Sequence, residues 1–364
     1  YWARAAITDP FFLHTWPDKP PLFIWLFTAT FAFLGPSAET ARLVSIFAST
    51  LTIPLVTVGA RRLWHSPLAA LLAALIMTFS PFAVSFAPTA YTDSLLVFFG
   101  TGALVLALRG KPLAAGLLLG AACMTKQHGL FYAPLVFALL GFAGSSWRDR
   151  GIKSLWATFG VALIASPIFW WDSQRWAVAP SPWDLAQRTY APLTWVLWQQ
   201  WPARVEAWSK VFWYLGGSCT VWLLIGAGLL GTTLLIVRTA RQRSRVALLW
   251  AILFAWGIAF MLWHIMTSVQ VWDRYLLPLA PWLALMASGP LVLIFSARPL
   301  AWFPTWIRGL FFVLLIIGMA ELVYPGIEAA RGELPIGGDH GYYAGLTEAI
   351  AWVQGQCEDC PAIL

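Results

Sequence analysis

Residues 113–143 read LAAGLLLGAACMTKQHGLFYAPLVFALLGFA, one apolar run broken once, at Thr125-Lys126-Gln127-His128-Gly129. Arg109 and Lys111 precede it, and Arg148, Arg150 and Lys153 follow it. A helix that crosses a membrane needs about 20 apolar residues, somewhat fewer when it is buried in protein. The run is longer than one crossing requires, and both of its ends are basic. Lys and Arg of short loops gather on one side of a membrane. Two short helices joined by a polar hinge meet both conditions, and they put Lys126 and His128 at the far tip of a membrane hairpin.

The same reading extends outward along the chain. Leu43–Gly59, Pro67–Phe86, Leu95–Leu108, Leu155–Trp171, Val211–Val237, Val246–Trp263, Tyr275–Phe295 and Trp306–Tyr324 are further candidate spans. Charged residues make up only 11% of the chain and hydrophobic residues 60%, whereas a soluble domain carries roughly 25% charged residues. The expected fold is an all-α, polytopic transmembrane bundle of about 10 spans. Pro20–Leu34 is apolar but only about 15 residues long, closer to a re-entrant or surface helix than to a span. Charge decides its status. If it is re-entrant, one face collects Arg61/Arg62, Arg109/Lys111, Arg148/Arg150/Lys153, Arg238/Arg241/Arg243/Arg245, Arg298 and Arg308, with Asp149 among them. The opposite face holds Asp18, Asp93, Asp172, Asp184, Glu206, Asp273 and the acidic tail. If it spanned, Arg61/Arg62 and Arg109/Lys111 would point outward, against the usual bias.

Three regions follow. Residues 1–42 form a first extracytoplasmic loop with juxtamembrane helices. Residues 43–324 form the transmembrane domain, with an outer loop at 172–210. Residues 325–364 form an outer tail, expected to be cut short. The chain opens at Tyr1-Trp2-Ala3-Arg4 as if in mid-helix, so a preceding segment is expected too. Trp195, Trp198, Trp201 and Trp208 of the outer loop fit an interfacial helix or the wall of a lipid cavity. Cys123 and Cys219 read as small core residues. Cys357 and Cys360 read as a local disulfide if the tail is outside the cytoplasm. The net charge of +7 is a topology signal in such a chain and does not suggest nucleic acid. There is no Asn, and therefore no N-glycosylation acceptor.

Ionisable groups at membrane depth are costly and usually functional. Here the topology brings them to the outer face: Asp18-Lys19 before the re-entrant helix, Asp93 where a span turns back, Lys126 and His128 at the hinge, and His264, Asp273 and Arg274 around the last outer turn. Each has a plainer reading. Lys19 or Arg274 can snorkel to headgroups, Asp93 can cap the helix that follows it, and His264 can be interfacial. As a group they suit phosphate chemistry: carboxylates deprotonate an acceptor, cations hold a phosphate and stabilise it as it leaves, and a Trp-lined groove takes an isoprenoid tail. The inner halves of the helices carry almost no charge and no repeat is visible, which argues against an ion or solute transporter.

Four stretches carry a resemblance: Trp16-Pro17-Asp18-Lys19-Pro20-Pro21-Leu22, Tyr91-Thr92-Asp93-Ser94-Leu95-Leu96, Met124-Thr125-Lys126 followed by Pro134, and Asp273-Arg274-Tyr275-Leu276-Leu277-Pro278. In their order and spacing the chain resembles the membrane glycosyltransferases of the C superfamily, in the branch of the protein O-mannosyltransferases and aminoarabinose (lipid A) transferases. The resemblance implies a polyprenyl-phosphate sugar donor, a lipid, glycan or protein acceptor, and inverting transfer by single displacement at the extracytoplasmic face, in a multi-pass protein of a bacterial plasma membrane. Together with the residue reading above, the expectation is donor-phosphate binding by Lys19 and Arg274, joined by Lys126, His128 and Arg42, with Asp18 and Asp93 in support. It allows a divalent ion near Asp18 and does not require one. The family's catalytic Asp, usually in an Asp-Glu pair, precedes a stretch like Tyr1 and Ala3-Arg4, so the base is expected upstream of Tyr1. Asp9, between Thr8 and Pro10, is expected to cap or end the short Tyr1–Ile7 helix. His128 stands where the family has small residues. The rival reading is a non-enzymatic lipid carrier or flippase on a similar scaffold.

Overall fold

Serines set where several helices begin. Ser37, Ser66, Ser80, Ser146, Ser218 and Ser244 each accept a hydrogen bond from a first-turn backbone N–H of the helix that follows. Each bond satisfies a donor that has no partner within the helix. The computed structural model describes residues 2–190, 194–242, 244–296, 304–337 and 352. Cys357 and Cys360, Arg243 and Arg298 lie outside the described residues.

The chain runs through α1 (Trp2–Thr8), α2 (Leu22–Leu34), α3 (Ala38–Trp64), α4 (Pro67–Thr78) and α5 (Pro81–Phe86). It continues through α6 (Asp93–Leu108), α7 (Pro112–Thr125), a 3-10 turn (Gln127–Phe131), α8 (Tyr132–Ala143) and α9 (Trp147–Arg175). After α10 (Pro182–Tyr190) and α11 (Trp201–Trp213) come α12 (Cys219–Arg241), α13 (Arg245–Met266), a 3-10 turn (Asp273–Leu276), α14 (Leu279–Ser296) and α15 (Thr305–Arg331). Among the described residues there is one isolated antiparallel bridge, Trp195 with Thr267, and no strand.

Among the described residues, six helical segments are long and apolar enough to cross a membrane: α3, α9, α12, α13, α15 and Asp273–Leu293, which contains most of α14. The hairpin of α7 and α8 and the helices α4 and α6 are apolar but shorter. α2 has 13 residues, which at ~1.5 Å per residue is about 20 Å, short of a hydrocarbon core of about 30 Å.

Three expected segments differ. Pro67–Phe86 is divided into α4 and α5, because Ser80 caps a new helix and Pro81 takes its first position. Val211–Val237 is divided by Gly216-Gly217, with Gly217 at φ +77°, between α11 and α12. The last helix does not stop at Tyr324. It continues over Pro325 to Arg331 and ends at Gly332, φ +72°.

α14 is the pillar of the bundle: 94% of the apolar window at Asp273–Leu293 is buried. Small residues let its neighbours reach its backbone. A methyl group on Gly228 of α12 would come within 2.7 Å of Ala287, and Trp64 of α3 donates its indole N–H to Leu285 O at 2.7 Å. The hairpin is held in the same way, by α9 crossing α7 at Gly116, Gly120 and Gly160. A Cβ on Gly116 would lie 2.0 Å from Ala157 O. No side-chain motion relieves a clash with backbone, so the two helices would have to separate. Gly116→Leu is expected to lower the unfolding temperature in detergent and to displace Lys126 at the end of α7, whereas Gly141→Leu, whose Cβ meets nothing within 4 Å, is expected to be mild.

The connections sort by charge. Arg62, His65, Arg109, Phe142 and Val246 border one crevice, so the end of α3, the α6–α7 turn, the end of α8 and the start of α13 meet at one end of the bundle. At the other end, Lys19, Lys126, Tyr190, Gln270 and Tyr275 border a cavity.

Candidate active site

The hinge is built by backbone conformation. α7 stops because Lys126 is extended, φ −158° and ψ 143°, and the 3-10 turn that follows reverses the chain into α8. Gly129 packs directly on the end of α7, where a Cβ would meet Cys123 N at 2.4 Å. The turn directs Lys126 inward. Its Nζ lies 2.5 Å from Asp93 Oδ1, with the two side chains only 2% and 3% exposed. Asp93 is the first residue of α6, where the helix dipole favours an anion. Its carboxylate binds Lys126, and the N-cap is Thr92 without a side-chain bond, so of the two readings of Asp93 the structure shows the ion pair.

A second pair comes from the loop before α2. Lys19 Nζ lies 2.5 Å from Asp18 Oδ2, which also accepts a short hydrogen bond from the Tyr190 hydroxyl of α10. Gln127 ties the pieces together, donating to Asp18 O at 3.0 Å and Pro182 O at 3.3 Å. Burial holds the pKa of Lys19 below the usual lysine value, with Asp18 opposing and the charge of Arg274 adding to the depression. Burial, then the hydrogen bond and charge of Asp18, push Tyr190 up to about 12, so it stays a neutral donor.

Aromatic rings form the floor. Tyr275 stacks on His128 with centroids 4.6 Å apart, and Lys126 Nζ sits 4.3 Å from the Tyr275 centroid. The Arg274 guanidinium lies over Trp272 at 4.3 Å and Tyr91 at 4.6 Å. Lys19, Lys126, His128, Tyr190 and Tyr275, with Trp183 and Trp263, line a cavity of about 460 Å³. Asp18 Oδ1, His128 Nε2 and Arg274 Nε are buried there or beside it without a hydrogen-bond partner. Arg274 has no carboxylate partner among the described residues. Two lysines and one arginine against two carboxylates leave the group with surplus positive charge.

The remaining sequence candidates divide. Arg42 is exposed in the first turn of α3, near Glu39, and does not line the cavity. His264 is not interfacial: it is fully buried against Phe260 and Trp208, because α11 covers it. Asp273 is structural, accepting from the backbone N–H of Arg274 at 2.7 Å and of Gly337 at 2.9 Å. Asp9 ends α1, its backbone N–H bonding to Ala5 O at 2.8 Å, but its carboxylate does not cap the helix. Its carboxylate turns forward and accepts from Leu13 N and His14 N, both at 2.9 Å. Of the four loop tryptophans, Trp208 is buried and Trp195 and Trp198 are exposed, and the cavity wall is made by Trp183 and Trp263 instead. Cys123 is buried, but Cys219 is exposed because it opens α12 at a surface turn. Tyr190, Gln127 and Tyr275 were not singled out in the sequence. Gln127 and Tyr275 adjoin motif residues, and no motif marks Tyr190.

Among the described residues no three metal-ligating side chains converge, and the ammonium of Lys19 shares the Asp18 carboxylate.

Residues 18–171, which run from Asp18 to the C-terminal part of α9, match the family of dolichyl-phosphate-mannose-protein mannosyltransferases. The structure resembles ArnT from Cupriavidus metallidurans bound to undecaprenyl phosphate, with 19% identity, a TM-score of 0.57, and coverage of 88% of this chain and 62% of that one. It also resembles the oligosaccharyltransferase of Archaeoglobus fulgidus in the apo form, with 14% identity, a TM-score of 0.65, and coverage of 95% and 51%. The chain has the fold of the C-superfamily membrane glycosyltransferases. The same archaeal enzyme in complex with an inhibitory peptide and a dolichol-phosphate gives a TM-score of 0.60 at 14% identity. The chain thus spans about half to two thirds of the length of these structures. No curated protein matches it in sequence.

Proposed function

We propose that the protein takes part in transfer of a sugar from a polyprenyl-phosphate donor to an acceptor at the extracytoplasmic face, with inversion. The observation that carries this reading is the convergence of Lys19, Lys126, Arg274 and the Tyr190 hydroxyl around one largely apolar, aromatic-floored cavity at the end of the bundle away from the basic loops. The donor phosphate is bound by these groups, and the isoprenoid chain runs along the Leu130, Phe131 and Trp183 side of the cavity. The acceptor attacks the anomeric carbon as the bond from that carbon to the phosphate oxygen breaks. A polyprenyl phosphate leaves as an anion, so positive charge replaces a general acid. The base that takes the acceptor proton is not assigned to a described carboxylate, since Asp9 is held by its own loop and Asp93 by Lys126.

ArnT and the archaeal oligosaccharyltransferase bear on this reading because their structures were obtained with undecaprenyl phosphate and dolichol-phosphate. The test is release of radiolabelled sugar from polyprenyl-phosphate sugars by the full-length protein in lipid nanodiscs. Transfer that depends on Lys126 and Arg274 supports the assignment. Lipid movement between leaflets without cleavage of the sugar–phosphate bond would favour a carrier.

The orientation has its own check. With Cys123, Cys219, Cys357 and Cys360 replaced by Ser, a single Cys at Asp184 is expected to react with an impermeant thiol reagent from outside, and one at Arg241 only after permeabilisation. The reverse pattern would put the cavity on the cytoplasmic side.

A further inference from the structure

The end of the bundle opposite the cavity carries basic groups that sugar transfer does not use. Arg61 and Arg62 lie in the last turn of α3, and His65 ends it in the left-handed conformation, φ +52°, with its N–H bonded to Arg61 O at 2.9 Å. Arg109 ends α6 in a tight turn that Gly110 allows at φ +66°, and Lys111 N–H bonds back to Leu106 O at 2.9 Å. Two adjoining crevices share Arg62, His65 and Arg109. One, of about 480 Å³, adds Arg61. The other, of about 340 Å³, runs between apolar walls that include Leu63, Leu108, Leu139, Phe142 and Val246.

Among the described residues, no Asp or Glu lines either crevice. Arg61, Arg62, Arg109 and Lys111 form no ion pair among the described residues. Basic residues that only set topology have no need to converge. Here three exposed guanidiniums from two connections meet at one mouth without a carboxylate partner among the described residues, which favours an anion there. Guanidinium forks match phosphate oxygens. A free anion would use the mouth alone and a soluble molecule would leave the slot uncovered, whereas a phospholipid fills both mouth and slot.

We propose that these crevices bind an anionic phospholipid, with its phosphate on Arg61, Arg62 and Arg109 and one acyl chain between the walls of α6, α8 and α13. Three guanidiniums suit a headgroup with two phosphates, such as cardiolipin. The site is independent of the transfer reaction and would stand if that reading failed.

Native mass spectrometry of the purified protein, titrated with cardiolipin, phosphatidylethanolamine or inorganic phosphate, tests it. Cardiolipin is expected to remain bound in preference to phosphatidylethanolamine and to resist displacement by inorganic phosphate. Arg62→Gln with Arg109→Gln is expected to weaken it at least roughly tenfold, the loss of charge-assisted contacts. Arg148→Gln with Arg241→Gln, at the same end but outside the crevices, is expected to leave it unchanged. Arg62→Lys with Arg109→Lys keeps the charge and loses the forks, so several-fold weakening there reads the site even if the glutamine variant does not fold. Equal weakening by both glutamine pairs, equal retention of phosphatidylethanolamine, full displacement by inorganic phosphate, or no effect of the lysine pair would overturn the proposal.

Discussion

Lys126→Met is expected to destabilise the protein by about 3–5 kcal/mol, the usual cost of leaving one member of a buried ion pair unpaired. The Asp93 carboxylate would then sit 3% exposed with no counter-charge. Asp93→Leu should cost a similar amount by stranding the ammonium. The double variant, Lys126→Met with Asp93→Leu, removes both charges and should recover most of the loss, since apolar replacement of a buried pair is often neutral or stabilising. Thermal unfolding in detergent reads this cycle. Activity separates the roles. If Lys126 is only a strut for Asp93, the stable double variant should still bind donor and transfer sugar. If Lys126 also serves the phosphate, as its place in the cavity wall suggests, the double variant should be folded and inactive. Additive losses of stability in the double variant would mean that the pair does not hold the hinge to α6.

The hinge was legible in the sequence because it is a charge argument: basic residues on both sides of 113–143 force the chain to return, and the polar break can lie only at the turn. The helix divisions were less legible. Ser80-Pro81 and Gly217-Ser218 are local start and stop signals, but a hydropathy reading runs across them, since neither interrupts the apolar character of the segment. The set of charges at one end could be read, whereas their pairing could not. Asp93 and Lys126 are 33 residues apart and Asp18 and Tyr190 are 172 apart, and no local pattern encodes contacts of that range. Tyr190 depends on α10 folding back over the first loop, which Gln127 secures through Pro182. His264 was misplaced because its position at a span end says nothing of the helix that covers it. Trp208 of α11 donates to its backbone carbonyl at 2.9 Å and closes it from lipid.

Lys19→Ala and Arg274→Ala are each expected to weaken donor binding ten- to a hundredfold, equivalent to about 1.5–3 kcal/mol for a hydrogen bond to a charged group. Neither should unfold the protein. Lys19 sits in a loop and its partner Asp18 keeps the Tyr190 bond, while Arg274 stacks on rings without a carboxylate that its loss would strand. Acidity adds a second readout for Lys19. The charged form binds phosphate, and burial places its pKa below the ordinary lysine value of about 10.4. Donor affinity of the free protein should therefore be full at low pH and fall as pH rises through that lowered pKa, earlier than for a solvated lysine. Lys19→Arg should bind less tightly at neutral pH, because a planar fork does not reproduce a point charge, but should lose the alkaline fall, because a guanidinium stays protonated. Equilibrium binding of a polyprenyl-phosphate sugar between pH 7 and 10 measures both effects. A wild-type curve flat across that range would assign the phosphate to groups that do not titrate there, Arg274 first among them, and an alkaline fall that persists in Lys19→Arg would assign it to Lys126.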